Sequence, residues 1–406
     1  MSDHDVVILG AGPAGLAAAV RLVELGVRDL VVLDREGEPG GVPRHCGHVA
    51  FGLREFHRPM SGPAYARQLA AAAAGIDIRT RTTVTAIESG GRVRSVHPDS
   101  GPAEFSARAV LLAFGVRETP RSTRLVSGDR PSGVTTSGAL QQFVYLSRIR
   151  PFKRAVVVGS ELVAFSALLT LRHGGIEAAA MIEEGPRITA RRPGDWAARL
   201  LLGVPVLTAT KLVAIRGMER VEAVEVEREG RRETIACDGV VFTGRFRPET
   251  AILTQSHLAI DPGSGGLAID QHWRCSDPTF FAAGNLLHPV ETAGVAWAEG
   301  RAAAEAIAGF LAGRLAPATA SLPVTAAPPL KYVYPQRLSL PAADISPLLF
   351  KARASRAATG RLRLIADGRE LWSRCMAILP ERRLTLPLAR IPRADVTSLS
   401  VDFVET

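Results

Sequence analysis

Short apolar runs of strand length alternate with Ala-rich stretches of helical length through most of this chain. After Asp5 the chain is apolar up to Gly10, 16–25 carry helical periodicity, and after Gly26 a second apolar run, 31–34, ends in an acid. Strand, helix and strand joined by short connections predict a βαβ unit with parallel strands. The same pattern returns at 154–158, 162–173 and 178–184. Between the two units, a helix is expected over 62–74 and alternating segments at 76–80 and 84–87. Turn signals at 90–91 and 99–102 predict an antiparallel hairpin region, and 109–115 reads as a buried strand. Beyond the second unit, 221–227 and 234–237 alternate across Glu229-Gly230 as a hairpin. Residues 238–244 read as its closing strand, 277–285 as a short strand, and an Ala-rich helix is expected to run to about Leu311. Residues 312–329, rich in Ala, Pro and Thr, read as a linker. The remainder alternates as β structure, with a hairpin signal at Asp367-Gly368.

The glycines of the first unit carry chemistry. In Gly10-Ala-Gly12-Pro13-Ala14-Gly15 the first glycine permits a tight strand-to-helix turn, the second lets backbone approach a pyrophosphate, and the third lets helix and strand pack closely. The helix N-terminus that follows presents unpaired N–H groups and a positive dipole to phosphate. Asp34 is placed to accept hydrogen bonds from a ribose. In the second unit Gly159 and Glu183 stand at the same separation as Gly10 and Asp34, but the turn reads G-x-E-x-x-A. Glu161 occupies the position where glycine would meet the pyrophosphate, so the second unit is expected to keep the fold and to lose, or bind weakly, NAD(P)H. Gly284-Asn285, followed by Thr292-Ala293 at the start of a helix, form a further expected anion or carbonyl site.

Composition narrows the class. Hydrophobic residues at 47% and charged residues at 22% of 406 residues are those of a globular, multidomain chain. No basic leader and no apolar run long enough to span a bilayer are present, so the expectation is a cytoplasmic protein that is not transmembrane. The net charge of +9 raises nucleic acid as a partner, but all but four of the 49 basic residues are arginine, which reads as codon bias; no nucleic-acid binding is expected. Residues 321–406 carry 13 basic and 7 acidic groups, leaving open a docking surface or an ordinary solvated face. Cys46, Cys237, Cys275 and Cys375 are scattered without a CxxC pair, which excludes a local zinc, iron–sulfur or thioredoxin-type motif; no metal site is expected. The loop 35–48 concentrates Arg35, Gly41, Val42, Arg44, His45 and Cys46. It is read as lying along the cofactor, with Cys46 and His45 as candidate catalytic groups; His45 or Arg44 would lower the thiol pKa.

The turn at 10–15 with Asp34, the LLAFG run at 111–115, the second strand–turn–helix and FFAAGN at 280–285 resemble the two-dinucleotide-binding-domain flavoproteins, the glutathione-reductase-like superfamily. The resemblance covers roughly residues 4–312. It implies FAD as cofactor and adds Val84, Ala113 and Gly115 to the candidate cofactor contacts Gly10, Gly12, Pro13, Ala14, Gly15, Asp34, Arg35, Gly41, Val42, Arg44, Gly284, Asn285, Thr292 and Ala293. The family usually has an acid where Asn285 stands and Thr where Phe114 stands. The implied fold class is α/β: a FAD-type Rossmann-like domain (1–120 and 245–312), a nested, degenerate NAD(P)-type domain (121–244), a linker (313–329) and a small all-β sandwich (330–406).

GGVPRHCGH (40–48), REF (54–56), GPAYARQL (62–69), GVRETPR (115–121), GALQQFVY (138–145) and AAGNLLHPVETAG (282–294) are similar to one subgroup, the nucleotide-binding subunits of heteromeric amine and amino-acid dehydrogenases. Sarcosine oxidase α, hydrogen cyanide synthase, opine oxidase and dye-linked proline or hydroxyproline dehydrogenases belong to it. The resemblance implies electron relay from a D-amino-acid-oxidase-like flavin subunit that oxidises a small amine or amino acid. Many members carry a Cys-rich domain that this chain lacks, so any cluster would come from a small iron–sulfur partner. Two other functions stay open on the residues: a single-cysteine NAD(P)H oxidase or peroxidase built on Cys46, and a non-catalytic nucleotide-binding partner subunit.

Overall fold

The computed structural model describes residues 2–190, 202–315, 317, 320–340, 348–380, 382–388 and 396–406. Linker positions 316, 318 and 319 therefore lie outside the described residues. The chain divides into two compact units, one made of Met1–Gly41, Ala66–Val116 and Arg247–Thr406, the other of Val42–Tyr65 and Arg117–Phe246.

The first unit is built on a parallel sheet. Ser2–Leu9 lies between Leu30–Leu33 and Gly101–Leu112, both parallel to it, with Asp77–Arg79 on one edge and Phe280–Ala282 paired to the far side of Gly101–Leu112. The four residues of Leu30–Leu33 are all buried, as a strand covered on both faces must be. The antiparallel hairpins expected at turns 90–91 and 99–102 form, Arg92–His97 pairing with Thr83–Glu88 on one side and with Gly101–Leu112 on the other. The strand expected at 109–115 begins earlier: Gly101–Leu112 is continuous, and its apolar second half pairs parallel with Ser2–Leu9. Helices Pro13–Glu24 and Ala293–Leu311 pack on each other through small residues; a Cβ on Gly300 would lie 2.0 Å from the Ala14 carbonyl oxygen.

The C-terminal β structure belongs to this unit. Its strands form a five-stranded sheet ordered Arg337–Leu340, Ala320–Ala326, Leu399–Glu405, Ala358–Ala366, Arg369–Ile378, and a three-stranded sheet ordered Leu330–Tyr334, Leu348–Ala354, Leu384–Leu388. Both contribute to one core centred on Leu338, Phe350, Leu362, Leu364, Leu386 and Val401. Ala320–Ala326 is a strand inside the stretch that reads as a linker, because Leu322 and Val324 alternate into this core. The turn Asp367-Gly368 takes φ of 43° and 82°, the left-handed pair that a two-residue hairpin needs.

The second unit repeats the design. Val134–Thr136, Gly239–Phe242, Arg154–Val158, Glu177–Ile182 and Val206–Leu207 make a five-stranded parallel sheet. Leu162–His173 follows the central strand. A second sheet includes the hairpin Ala223–Arg228 and Arg231–Ala236, turning at Glu229-Gly230 as its pattern predicts. Residues 42–65 group with this unit because the turn after Gly41 packs on the helix Ser137–Gln141: Cys46 Sγ lies 3.4 Å from Gln141 Oε1. That turn contains a 3-10 helix, Val42–His45, where only loop was expected.

Candidate cofactor site

Each glycine of the first turn has a distinct structural reason. Gly10 takes φ of +110°, and a Cβ there would lie 2.5 Å from the Ala113 carbonyl oxygen. Gly15 has Gly10's carbonyl oxygen 1.8 Å from where its Cβ would be, so strand and helix meet backbone to backbone. Gly12 differs: the nearest atom to its Cβ position is the Gly41 Cα at 4.0 Å, so its missing side chain leaves open space rather than relieving a clash. Gly12 caps the helix Pro13–Glu24 without a side-chain hydrogen bond, which leaves first-turn N–H groups for a ligand. Gly41, at φ +63°, closes against Gly12, and the Gly40 N–H donates to the Ala11 carbonyl at 2.7 Å.

Asp34 ties the second strand to this turn. One carboxylate oxygen accepts from the Ala11 N–H, the other from the Glu36 N–H at 2.8 Å. Burial raises its pKa and the two N–H bonds oppose the rise. Arg35 is exposed, at 3.7 Å from Glu36 and 3.9 Å from Glu249. Val84 is half-buried against the sheet core, Ala113 donates its N–H to the Leu9 carbonyl at 2.8 Å, and Gly115 takes φ of +74° with nothing near its Cβ position. Gly284 sits between two helix starts: its Cβ would lie 2.9 Å from Ala14 Cβ and 3.5 Å from Ala296 Cβ. Thr292 caps the helix Ala293–Leu311 without a side-chain bond. Gly10, Gly12, Pro13, Ala14, Gly15, Asp34, Gly41, Ala113 and Gly284 are thus brought together around one turn. Asn285 has a different use from the one expected. Its Nδ2 donates to the Glu291 carbonyl at 3.1 Å and its Oδ1 accepts from the Glu291 N–H at 2.7 Å, a clasp that an aspartate, lacking a donor, cannot make.

The second turn is closed where the first is open. Glu161 caps Leu162–His173, and its buried carboxylate folds back into the turn, with Oε2 accepting from Thr243 Oγ1 at 2.8 Å. A Cβ on Gly244 would lie 2.1 Å from Glu161 Oε1 and one on Gly159 2.7 Å from Oε2. Thr243 stands at the end of the neighbouring strand, donating its N–H to Val158 as Ala113 does to Leu9. Hence two departures occur together: Gly12 is replaced by Glu161 and Ala113 by Thr243, and the new side chains bond each other at the strand ends where a dinucleotide would cross. Arg124 donates to the Thr243 and Gly244 carbonyls, both at 2.9 Å, and completes the closure. Burial raises the Glu161 pKa, and Glu183 adds to the rise, against the Thr243 bond and Arg124. Glu183 mirrors Asp34, accepting from the Gly185 N–H at 2.8 Å and from the Ser160 hydroxyl. Superposing the two turns in sequence would have pointed to Thr243; Arg124 carries no such signal.

Val42, Arg44, His45 and Cys46 belong to the second unit. Cys46 is 7% exposed, and its Sγ contacts the Val42 carbonyl and Gln141 Oε1, both at 3.4 Å. Gln141 passes the contact on to Ser166 Oγ at 2.7 Å, which meets His48 Nδ1 at 2.8 Å. Burial, with Glu118 nearby, pushes the Cys46 thiol up to about 12. The expectation that His45 or Arg44 would lower it fails because His45 is itself buried. Burial and the Arg44 charge bring the His45 imidazole down to about 4, so it is neutral. Cys46 lies outside any disulfide, as do Cys237, Cys275 and Cys375. Among the described residues no cluster of His, Cys, Asp or Glu has metal-ligand geometry, and no helix is long and apolar enough to cross a membrane.

Over 329 residues the chain is 29% identical to the sarcosine oxidase α subunit of Rhizobium meliloti, a match covering 75% of this chain and 30% of that protein. It is 26% identical to the dihydrolipoyl dehydrogenase of Mycobacterium bovis, covering 76% of this chain and 72% of that enzyme. It is 32% identical over 168 residues to an opine oxidase subunit of Agrobacterium tumefaciens, covering 39% of this chain and 33% of that protein. The thioredoxin reductase of T. acidophilum shares the fold, with a TM-score of 0.64 at 23% identity over 76% of this chain and 99% of that one. The L-proline dehydrogenase of P. horikoshii does so at 0.59 and 20% identity, over 78% of this chain and 57% of that one. The open space at Gly12 and the uncapped helix behind it fit a dinucleotide, and the family's cofactor is FAD. The family model for pyridine nucleotide-disulphide oxidoreductases matches residues 4–300, and the chain belongs to that family as an FAD-dependent oxidoreductase.

Proposed function

We propose that this chain is the FAD-binding subunit of a heteromeric dehydrogenase acting on an amino acid, secondary amine or opine, and that it relays electrons from a D-amino-acid-oxidase-like flavin subunit. The observation that carries the reading is Glu161. A chain fed with electrons by a protein partner has no need of a nicotinamide nucleotide, and here the turn that would hold one is filled by a carboxylate bonded to Thr243. A second support is the state of Cys46, a buried thiol pushed up to about 12 that lies outside any disulfide. That state suits neither a dithiol centre nor a thiolate that reduces peroxide. The third is that two of the relatives, from sarcosine oxidase and opine oxidase, are themselves named as subunits.

In this reading the turn Gly10–Gly15 would hold FAD, the first-turn N–H groups behind Gly12 its pyrophosphate, Asp34 its ribose, and Gly284, Thr292 and Ala293 its remaining part. When bound it supplies a two-electron carrier. The amine is oxidised at the partner, and a small iron–sulfur protein supplies any cluster.

Two measurements test this. Addition of NADH or NADPH to the purified FAD-loaded chain is expected to leave the visible flavin band unchanged over seconds; rapid bleaching overturns the reading. Purification from the native host is expected to bring with it a second flavin subunit, whereas a monomer with full dehydrogenase activity excludes the reading.

A further inference from the structure

The basic tail holds a buried charge cluster that none of the assigned functions uses. Leu330–Tyr334 and Leu348–Ala354 pair antiparallel, with Tyr332 opposite Arg353 and Tyr334 opposite Lys351. Residues two apart share a face of a strand, so these two registered pairs form one four-residue patch. The patch meets the segment that follows Gly284. Tyr332 donates its hydroxyl to the Pro289 carbonyl at 3.0 Å, and Arg353 donates to the Val290 carbonyl and to Glu291 Oε1, each at 2.7 Å. Arg383 adds a second guanidinium on both oxygens of Glu291. Deeper in the helix Ala293–Leu311, Glu299 accepts from Lys351 Nζ at 2.8 Å and from the Tyr334 hydroxyl at 3.2 Å, and lies 3.0 Å from His288 Nε2. The His288 ring stacks on Tyr334 at 4.1 Å. His288, Glu291, Glu299, Tyr332, Tyr334 and Arg353 are all at most 7% exposed.

We propose that the C-terminal β domain is a clamp on the cofactor loop, and that Glu291 and Glu299 are positioning residues that set the start of the helix Ala293–Leu311 against the flavin. The inference rests on the reading of Gly284, Thr292 and Ala293 as cofactor contacts. Three sets of bonds converge on residues 289–291: Asn285 holds the Glu291 backbone, the tail holds its carboxylate, and the tail also holds the Pro289 and Val290 carbonyls. Thr292, the helix cap, is the next residue. Buried ion pairs are poor sources of net stability, since apolar residues of like volume do as well; their best-attested use is to fix register. Here the register fixed is that of the tail sheet against the loop. Lys351, Arg353 and Arg383, three of the 13 basic groups of residues 321–406, are thus paired with Glu291 and Glu299.

The test uses the full-length chain loaded with FAD. Arg383→Gln leaves the Glu291–Arg353 pair intact and Arg383 is only half-buried, so this variant folds. The double variant Glu291→Gln, Arg353→Met removes the buried pair together and leaves only the solvent-accessible Arg383 facing the amide, which is milder than removing one buried partner. FAD release on dilution is followed by fluorescence, alongside the position of the visible band, far-UV circular dichroism and thermal stability. The double variant is expected to weaken FAD binding about tenfold or more, equivalent to ~1.4 kcal/mol, and to shift the visible band with circular dichroism unchanged. Arg383→Gln moves the same way by less, and Arg383→Lys restores most of it. Arg363→Gln, which breaks the tail's Arg363–Asp402 pair, is the control and leaves FAD binding unchanged. Variants that lose thermal stability yet keep wild-type FAD affinity and spectrum overturn the clamp; should the double variant fail to fold, Arg383→Gln decides alone. A wild-type chain that takes up no FAD overturns the cofactor reading beneath it. Loss of FAD in Gly12→Val but not in the tail variants overturns the clamp only.

Discussion

A thiol reacts as its thiolate, so burial that disfavours the charge makes a cysteine inert however it is flanked in sequence. Cys46, pushed up to about 12, is neutral throughout the range in which enzymes work, and Cys237 and Cys275 are buried in turn. Cys375 is the exposed one. Titration of the native chain with a thiol reagent at pH 8 is therefore expected to show one fast cysteine, with all four reacting after denaturation. Cys46→Ser is expected to retain most activity, and a fast second thiol mapped to Cys46 would contradict the assigned environment. The complementary residue is Glu161, where a single carboxylate closes a turn. Removing it together with its partner, as Glu161→Gly with Thr243→Ala, opens the strand ends and takes away a negative charge from the phosphate path. Binding of NADH, read by isothermal titration, is expected to strengthen about fivefold over the wild-type chain, since phosphate–carboxylate repulsion at a few Å is of order 1 kcal/mol even when screened. No change would mean that Glu161 does not govern that site.

At the scale of elements, local and repeated signals were legible in the sequence and distant ones were not. The turns at Gly10 and Gly159 and the hairpin at Asp367-Gly368 were readable because each depends on a residue type that tolerates a conformation others resist. The strand expected at 109–115 begins earlier, at Gly101, because its largely exposed first half pairs with Arg92–His97 and carries no unbroken apolar run. The environment of Cys46 was missed because Gln141 is 95 positions away in sequence. Gly300 was missed for a related reason: one glycine in an Ala-rich helix reads as helix filler, yet its Cβ would lie 2.0 Å from the Ala14 carbonyl oxygen and 2.8 Å from the carbonyl carbon. Both are backbone atoms that cannot rotate away. Gly300→Val must therefore push apart Pro13–Glu24 and Ala293–Leu311, the two helices whose starts flank Gly284. It is expected to destabilise by about 1–3 kcal/mol or more by overpacking, and to lower FAD retention along with the melting temperature. An unchanged melting temperature would show that the two helices are not in backbone contact.

At the scale of the molecule, the tail is held to the helix Ala293–Leu311 of its own unit by charges whose balance depends on pH. Burial alone would raise the pKa of Glu299; His288 and Lys351 outweigh it and hold the carboxylate down to about 2. The Tyr334 hydroxyl is the third group facing it. An acid whose folded pKa is depressed contributes stability that is present above its unfolded value, about 4.3 for glutamate, and lost as pH falls toward the folded value. The first unit is therefore expected to lose stability as pH drops from about 5 toward 2, beyond what its exposed carboxylates explain. Glu299→Gln isolates the contribution. At pH 7 it leaves Lys351 and His288 facing a neutral amide and should destabilise by about 3–5 kcal/mol, the usual consequence of removing one partner of a buried pair. Below about pH 4.3 the unfolded wild-type chain takes up the proton first, so the gap between the two proteins should narrow progressively. Denaturant midpoints followed by flavin release, measured at intervals from pH 7 down to pH 3, check this. A gap between wild type and Glu299→Gln that narrows with acid places the charge on Glu299 among the forces holding the tail. A gap that stays constant shows that Glu299 acts through shape alone.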